Sequence, residues 1–214
     1  MTFARGFVPF RAPSGGGGSA DIEWTVGLGL PDGMAAYISL APQADGSKNT
    51  NKAYSGASST TDGYAWDLVL THNAFYDGLN VFAGYSDISQ NSTIGDRSEA
   101  TAGFTYAIGG VTVGYQRSEI NRPAAADNFY ENEAYAISFA VNDDLTISYG
   151  GNKSERSWSN SKCTVELDGE SLQLSYSFGG ASIKVAEASV DNKNYLTTAA
   201  NQRDGRTIAL TLAF

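Results

Sequence analysis

The sequence predicts an all-β protein, an antiparallel up-and-down transmembrane β-barrel, and three observations lead there. Eleven short segments alternate apolar with small or polar residues at a period of two. The connections between them alternate between short turns and longer polar loops. No run of about 18 apolar residues exists, and beyond a weak stretch at residues 124–126 no helical period of 3.6 competes. A strand with lipid on one side and water on the other carries apolar residues only at alternate positions, so such a chain spans a membrane without any long apolar run.

Taken in order, residues 22–30 (IEWTVGLGL) set Ile22, Trp24, Val26, Leu28 and Leu30 against Glu23, Thr25, Gly27 and Gly29. Residues 34–40 form a weaker run after the Pro31-Asp32-Gly33 turn. Residues 64–70 (YAWDLVL) place Asp67 in the inward phase, and residues 79–85 (LNVFAGY) alternate except that Phe82 joins the polar phase. Residues 102–108 point Phe104 and Tyr106 outward and Gly103 and Thr105 inward, and residues 111–115 put Thr112 and Gly114 inward. Residues 135–141 oppose Tyr135, Ile137, Phe139 and Val141 to Ala136, Ser138 and Ala140. Residues 145–149 oppose Leu145, Ile147 and Tyr149 to Thr146 and Ser148. Residues 172–178 (LQLSYSF) oppose Leu172, Leu174, Tyr176 and Phe178 to Gln173, Ser175 and Ser177. Residues 183–190 are the least regular, with Lys184 inward. The last ten residues, GRTIALTLAF, put Ile208, Leu210, Leu212 and Phe214 on one face and end on that aromatic ring.

Short turns are expected at 31–33, 73–78, 109–110, 142–144 and 179–180, and longer loops at 42–62, 87–96, 121–130, 153–166 and 191–204. A β-sandwich has no reason to alternate so strictly, whereas a membrane barrel has short turns at one rim and long loops at the other. Tyr106, Phe139, Tyr149, Tyr176, Phe178 and Phe214 crowd towards the short-turn ends, where an apolar ring with a polar tip suits a headgroup boundary.

Composition narrows the functions. The 214 residues include 24 Gly and 12 Tyr, with 14 Lys+Arg against 23 Asp+Glu, for a net charge of −9. Phosphate neutralisation needs basic clusters, and none is visible, so a nucleic-acid partner is not expected. Mean hydropathy is −0.25, compatible with strands that are apolar on one side only. Cys163 is the only cysteine, so no intrachain disulfide and no Cys-rich metal site can form. His72 is the only histidine, which weakens any Ser-His-acid triad and removes His-pair metal sites. Gly15 to Gly18 lack the following Lys-Ser/Thr and helix of a phosphate-cradling loop. Asn91-Ser92-Thr93 matches a glycosylation acceptor by chance composition. No cofactor motif is present. The segment MTFARGFVPFRAPSGGGGSAD has no apolar core of a secretory signal peptide.

The phrases ATAGFTYAIGGVTVGYQ, AYAISFAVNDDLTISYGGNK, LQLSYSFGG and TIALTLAF give residues 21–214 a resemblance to the C-terminal part of a bacterial general porin, most like the alphaproteobacterial type. That resemblance implies an outer-membrane channel, a sixteen-stranded barrel of which these would be the sixth to sixteenth strands, and a homotrimer when full length. Residues 1–20 would then be the end of the constriction loop, or a disordered segment, with Arg5 and Arg11 projecting into the pore. The chain reads as a truncated porin whose outer-membrane export signal lies outside it. Eleven strands leave two unpaired edges, which lipid does not tolerate without further pairing.

For such a barrel, function means an electrostatic filter made by charges of the inward phase. The expected pore-lining residues are Glu23, Asp67, Glu99, Lys184, Thr105 and Gln173, with Arg5 and Arg11 at the constriction. The expected partners are outer-membrane lipid, ions and small hydrophilic solutes, and the expected activity is passive, not enzymatic. An autotransporter-type translocator, an enzymatic barrel and a soluble β-sandwich binding module are the alternatives.

Overall fold

The computed structural model describes residues 22–26, 29–41, 64–89, 96–122, 129–158 and 161–212, without the side chains of residues 158 and 161–164. Residues 1–20 with Arg5 and Arg11, the whole 42–62 loop, Asn91 to Thr93, Phe214 and the Cys163 side chain lie outside the described residues.

Eleven strands follow one another: β1 (Ile22–Val26), β2 (Met34–Ala41), β3 (Ala65–His72), β4 (Leu79–Ile88), β5 (Arg97–Ile108), β6 (Val111–Asn121), β7 (Phe129–Ala140), β8 (Leu145–Trp158), β9 (Ser161–Phe178), β10 (Ala181–Asp191) and β11 (Arg203–Leu212). They form a single antiparallel sheet in which each strand pairs only with its neighbours in sequence. β1 and β11 are its two edges. Among the described residues no second sheet packs against this one, which removes the β-sandwich reading.

The tight turns use the residues they need. Gly109 (φ 56°) follows β5, and Gly179 and Gly180 (φ 51° and 85°) join β9 to β10, in a left-handed region that glycine enters at little cost. At 141–144 the Asn142 side chain accepts from the backbone N–H groups of Asp144 and Leu145, at 2.9 and 2.8 Å, and closes that turn as an Asx cap.

Directly opposed residues of an antiparallel pair lie on the same face, so the register assigns the faces across the whole sheet. One face carries Leu68, Phe104, Ile137, Ile147, Leu174, Ile183 and Leu210, all in the outward phase read from the sequence, and Ile38 of the weaker 34–40 run joins them. This face leaves its large side chains uncovered: Trp24 is 62% exposed, Ile208 70% and Leu210 61%. Apolar surface on that scale is stable against lipid and not against water.

Two expectations are corrected. Residues 153–166 are not a loop: β8 and β9 run on as a hairpin to Trp158 and from Ser161, with a bulge between Arg156 and Trp158. Glu166 therefore lies in a strand opposite Glu155, and Asp191 is the last residue of β10. The reason is that this part of the ladder has charged residues on its outward phase, so hydrophobic periodicity vanishes although the backbone pairing continues. For the same reason β5, β6, β7 and β9 are each longer than their apolar stretches.

Candidate functional site: the inward wall

The second face of the sheet gathers the remaining phase of every strand. Nearest the short turns, Lys184 opposes Ser175 and Ala209, and Gln173 lies on a line with Thr112, Ser138, Ser148, Ala186 and Thr207. The next but one line contains Asn80, Thr105, Gly114, Ala136, Gly150, Ser171, Ala188 and Gly205. No side chain there is longer than asparagine. Small and hydroxylated residues leave the space in front of this wall open and wettable. Phe82, Tyr37 and Val69 are larger side chains of the same phase. For Phe82 the neighbour makes room. The Phe82 ring crosses Gly103, where a Cβ would meet the ring Cζ at 2.6 Å.

Three expected pore residues fall on one register line. Glu23 opposes Ser39, Ser39 opposes Asp67, Asp67 opposes Ser86, and Ser86 opposes Glu99. The same line continues through Ile120, Tyr130 and Arg156. Barrel strands are tilted, so a line perpendicular to them climbs the wall. Measured from the short-turn end of its strand, Asp67 accordingly lies 5 residues from His72, Glu99 lies 9 from Ile108 and Arg156 lies 11 from Leu145.

The three carboxylates have different surroundings. Glu23 is exposed and Asp67 half-buried. Glu99 is only 3% exposed and forms a 2.6 Å ion pair with Arg97. Of the other named residues, Thr105 and Gln173 are half-buried and Lys184 is exposed. Sequence reading missed Arg97 and Arg156, both on the inward face. Arg97 was legible by phase alone, two residues before Glu99, but Arg156 was assigned to a loop.

Towards the long-loop end this wall becomes a hydrogen-bonded core. Asn132 donates to Ser118 Oγ at 3.4 Å, and Ser154 donates to Asn132 Oδ1 at 2.5 Å. Because its one proton is used there, Ser154 accepts from the Tyr195 hydroxyl at 2.8 Å.

On the outward face, beyond the apolar band, a charged ladder crosses β6 to β9. Arg117 pairs with Glu131 and lies 3.9 Å from Glu119 and from Glu133. Lys153 lies 3.3 Å from Glu166 and 3.8 Å from Asp168. The hydrogen bond to Glu166, reinforced by the charges of Glu166 and Asp168, raises the Lys153 ammonium above its ordinary range. Burial raises the Asp168 carboxyl, which Lys153 opposes and Glu166, Glu170 and Asp191 reinforce. His72 also belongs to the outward phase, opposite Met34 and Val81, edge-on to Phe75 at 6.2 Å. The lone histidine thus faces away from the inward carboxylates.

In sequence, no protein-family description matches this chain, and no curated protein does. In structure, it is similar to the outer-membrane expressed OmpT of Vibrio cholerae, with a TM-score of 0.60 and 13% identity over 89% of this chain and 63% of that one. It is also similar to a porin refined at 1.8 Å, with a TM-score of 0.58 and 17% identity over 90% and 60% of the two chains. In-vitro folded OmpT, an outer membrane protein of Vibrio cholerae, gives a TM-score of 0.55 at 11% identity over 89% and 61%. The fold is that of an outer-membrane β-barrel. The chain spans about three fifths of the length of each of these proteins.

Proposed function

We propose that this chain forms most of the wall of a passive aqueous pore in a bacterial outer membrane, of the general porin kind, admitting ions and small hydrophilic solutes. The observation that carries the reading is the division of one continuous sheet into an exposed apolar face and a face of Gly, Ala, Ser and Thr with a climbing line of carboxylates. A barrel of about sixteen strands with such an interior holds a water-filled channel. Eleven strands would supply its larger part, and the unpaired edges of β1 and β11 would be joined by the remaining strands. The apolar face fits outer-membrane lipid, and the family resemblance adds a homotrimer. The activity is diffusion rather than catalysis, since the sole histidine faces away from the inward carboxylates.

In this pore Glu23 and Asp67 set cation preference, with Thr105 and Gln173 as neutral lining and Lys184 as a counter-charge near the short-turn rim. Glu99 contributes little, because Arg97 neutralises it within contact distance. Reversal potentials across planar bilayers test this with the chain in its full-length barrel. Glu23→Gln and Asp67→Asn should lower the cation-to-anion permeability ratio. Glu166→Gln and Asp191→Asn, on the outward face, should leave it nearly unchanged, because charges beyond a Debye length of about 8 Å are screened. A barrel that does not conduct, or one whose selectivity follows the outward charges, refutes the reading.

A further inference from the structure

We propose that Tyr195 is a latch that fastens the β10–β11 loop onto the inward wall and so sets the size of solute the mouth admits. The inference rests on the pore reading above. Its starting point is an anomaly of burial. Residues that line water should be open to it, as Lys184 is on the same face. Ser154 and Leu167 are instead 0% exposed, Tyr130 is 3% exposed and Val190 4%.

The loop is what packs there. It leaves β10 through Asn192 and makes a short 3₁₀ turn, Lys193–Tyr195, then a second, Ala199–Asn201, before β11. Asn192 donates from Nδ2 to the Glu166 carbonyl at 2.7 Å, tying the loop's root to β9. The Tyr195 ring packs edge-on to Tyr130 at 5.8 Å, and the Arg156 guanidinium lies 4.7 Å from its centre. Its hydroxyl donates to Ser154. Tyr130, Ser154, Arg156, Leu167 and Val190 all belong to the inward phase. The loop therefore bends over the lumen side of the wall rather than away from it.

Asn192, Asn194 and Tyr195 have φ of 54°, 59° and 57°. Asparagine tolerates that left-handed region, but an aromatic residue enters it only when its surroundings hold it there. The ring contacts and the Ser154 hydrogen bond are what hold Tyr195. Without them the turn loses its reason to stay folded inward, and the loop swings clear of the mouth.

Two readouts on Tyr195→Ala, Tyr195→Phe and Ser154→Ala test this, with the barrel folded in detergent or lipid. The first is tryptic cleavage after Lys193, identified by product mass. Cleavage follows the open population of a local segment. Tyr195→Ala should be cut about tenfold faster or more than the parent, while Tyr195→Phe and Ser154→Ala, which keep the ring, should lie between. The second is single-channel conductance together with the size of neutral polyethylene glycol that blocks it. Tyr195→Ala should raise both. Equal cleavage of parent and Tyr195→Ala overturns the latch. Faster cleavage with unchanged conductance and exclusion size overturns its role in sieving. Absence of conductance in the parent, with Lys193 protected, refutes the pore reading and leaves the latch measured by cleavage alone. Unaltered heat-resistant mobility of each variant on electrophoresis establishes that the barrel itself is folded.

Discussion

The short-turn half and the long-loop half of this one sheet are built on opposite rules. Around Ile147, Leu174 and Ile183 the outward face is apolar and exposed, and the inward face is small, polar and open. Around Glu155, Glu166 and Asp168 the outward face is charged, and the inward face is buried and hydrogen-bonded through Ser118, Asn132 and Ser154. The backbone ladder passes between the two halves without interruption. The difference therefore lies in what surrounds each half. Lipid requires an apolar exterior, while the outer half meets headgroups and water outside and its own folded loop inside.

The comparison breaks most severely where a buried charge loses an ion-pair partner. Glu99→Ala leaves Arg97, 9% exposed, without its 2.6 Å ion pair. Breaking such a pair costs about 3–5 kcal/mol. Urea unfolding from lipid vesicles, followed by tryptophan fluorescence, should show that loss. A cost below about 1 kcal/mol would mean the inward wall is wet at this level.

Leu174→Arg and Ile147→Arg come next. These residues oppose each other on the outward face, and arginine near the bilayer midplane costs about 2–4 kcal/mol. Ser175→Arg, one residue away and facing inward, should fold into vesicles with a clearly smaller loss. Equal insertion of all three would reject the faces.

A smaller effect attends Gly151. A Cβ there would stand 2.5 Å from the Tyr135 hydroxyl and 2.6 Å from its ring, so the tyrosine lies flat across the glycine. Gly151→Leu should displace the ring and cost about 1–3 kcal/mol by the same unfolding measurement, as overpacking does elsewhere. The smallest effect belongs to the outer half. Glu166→Gln removes an ion pair to Lys153 in which both side chains are about two-fifths exposed, and should change stability by less than about 1 kcal/mol. The Lys153–Glu166 contribution should also fade in high salt.

How much was legible follows the same division. Strand existence, order, face and the short turns could be read wherever lipid enforces apolar alternation, and Asp67, Glu23 and Glu99 could be placed on the inward phase from that alternation alone. The upper hairpin could not, because charge on the outward phase and burial on the inward phase erase the hydrophobic signal while leaving the hydrogen bonds intact.

By itself, then, the chain determined an all-β meander of eleven amphipathic strands, the phase of each, and the absence of paired cysteine or histidine chemistry. Only the tertiary structure decided that three carboxylates 32 to 76 positions apart share a single climbing line, that one of them is neutralised by Arg97, and that Tyr195 returns to the wall beside Ser154 and Arg156. Alternation is a local consequence of a pleated strand at a lipid boundary, so it is written in neighbouring residues. Register between strands and the folding of a loop onto a distant wall depend on contacts between residues far apart in the chain, and no local pattern encodes them.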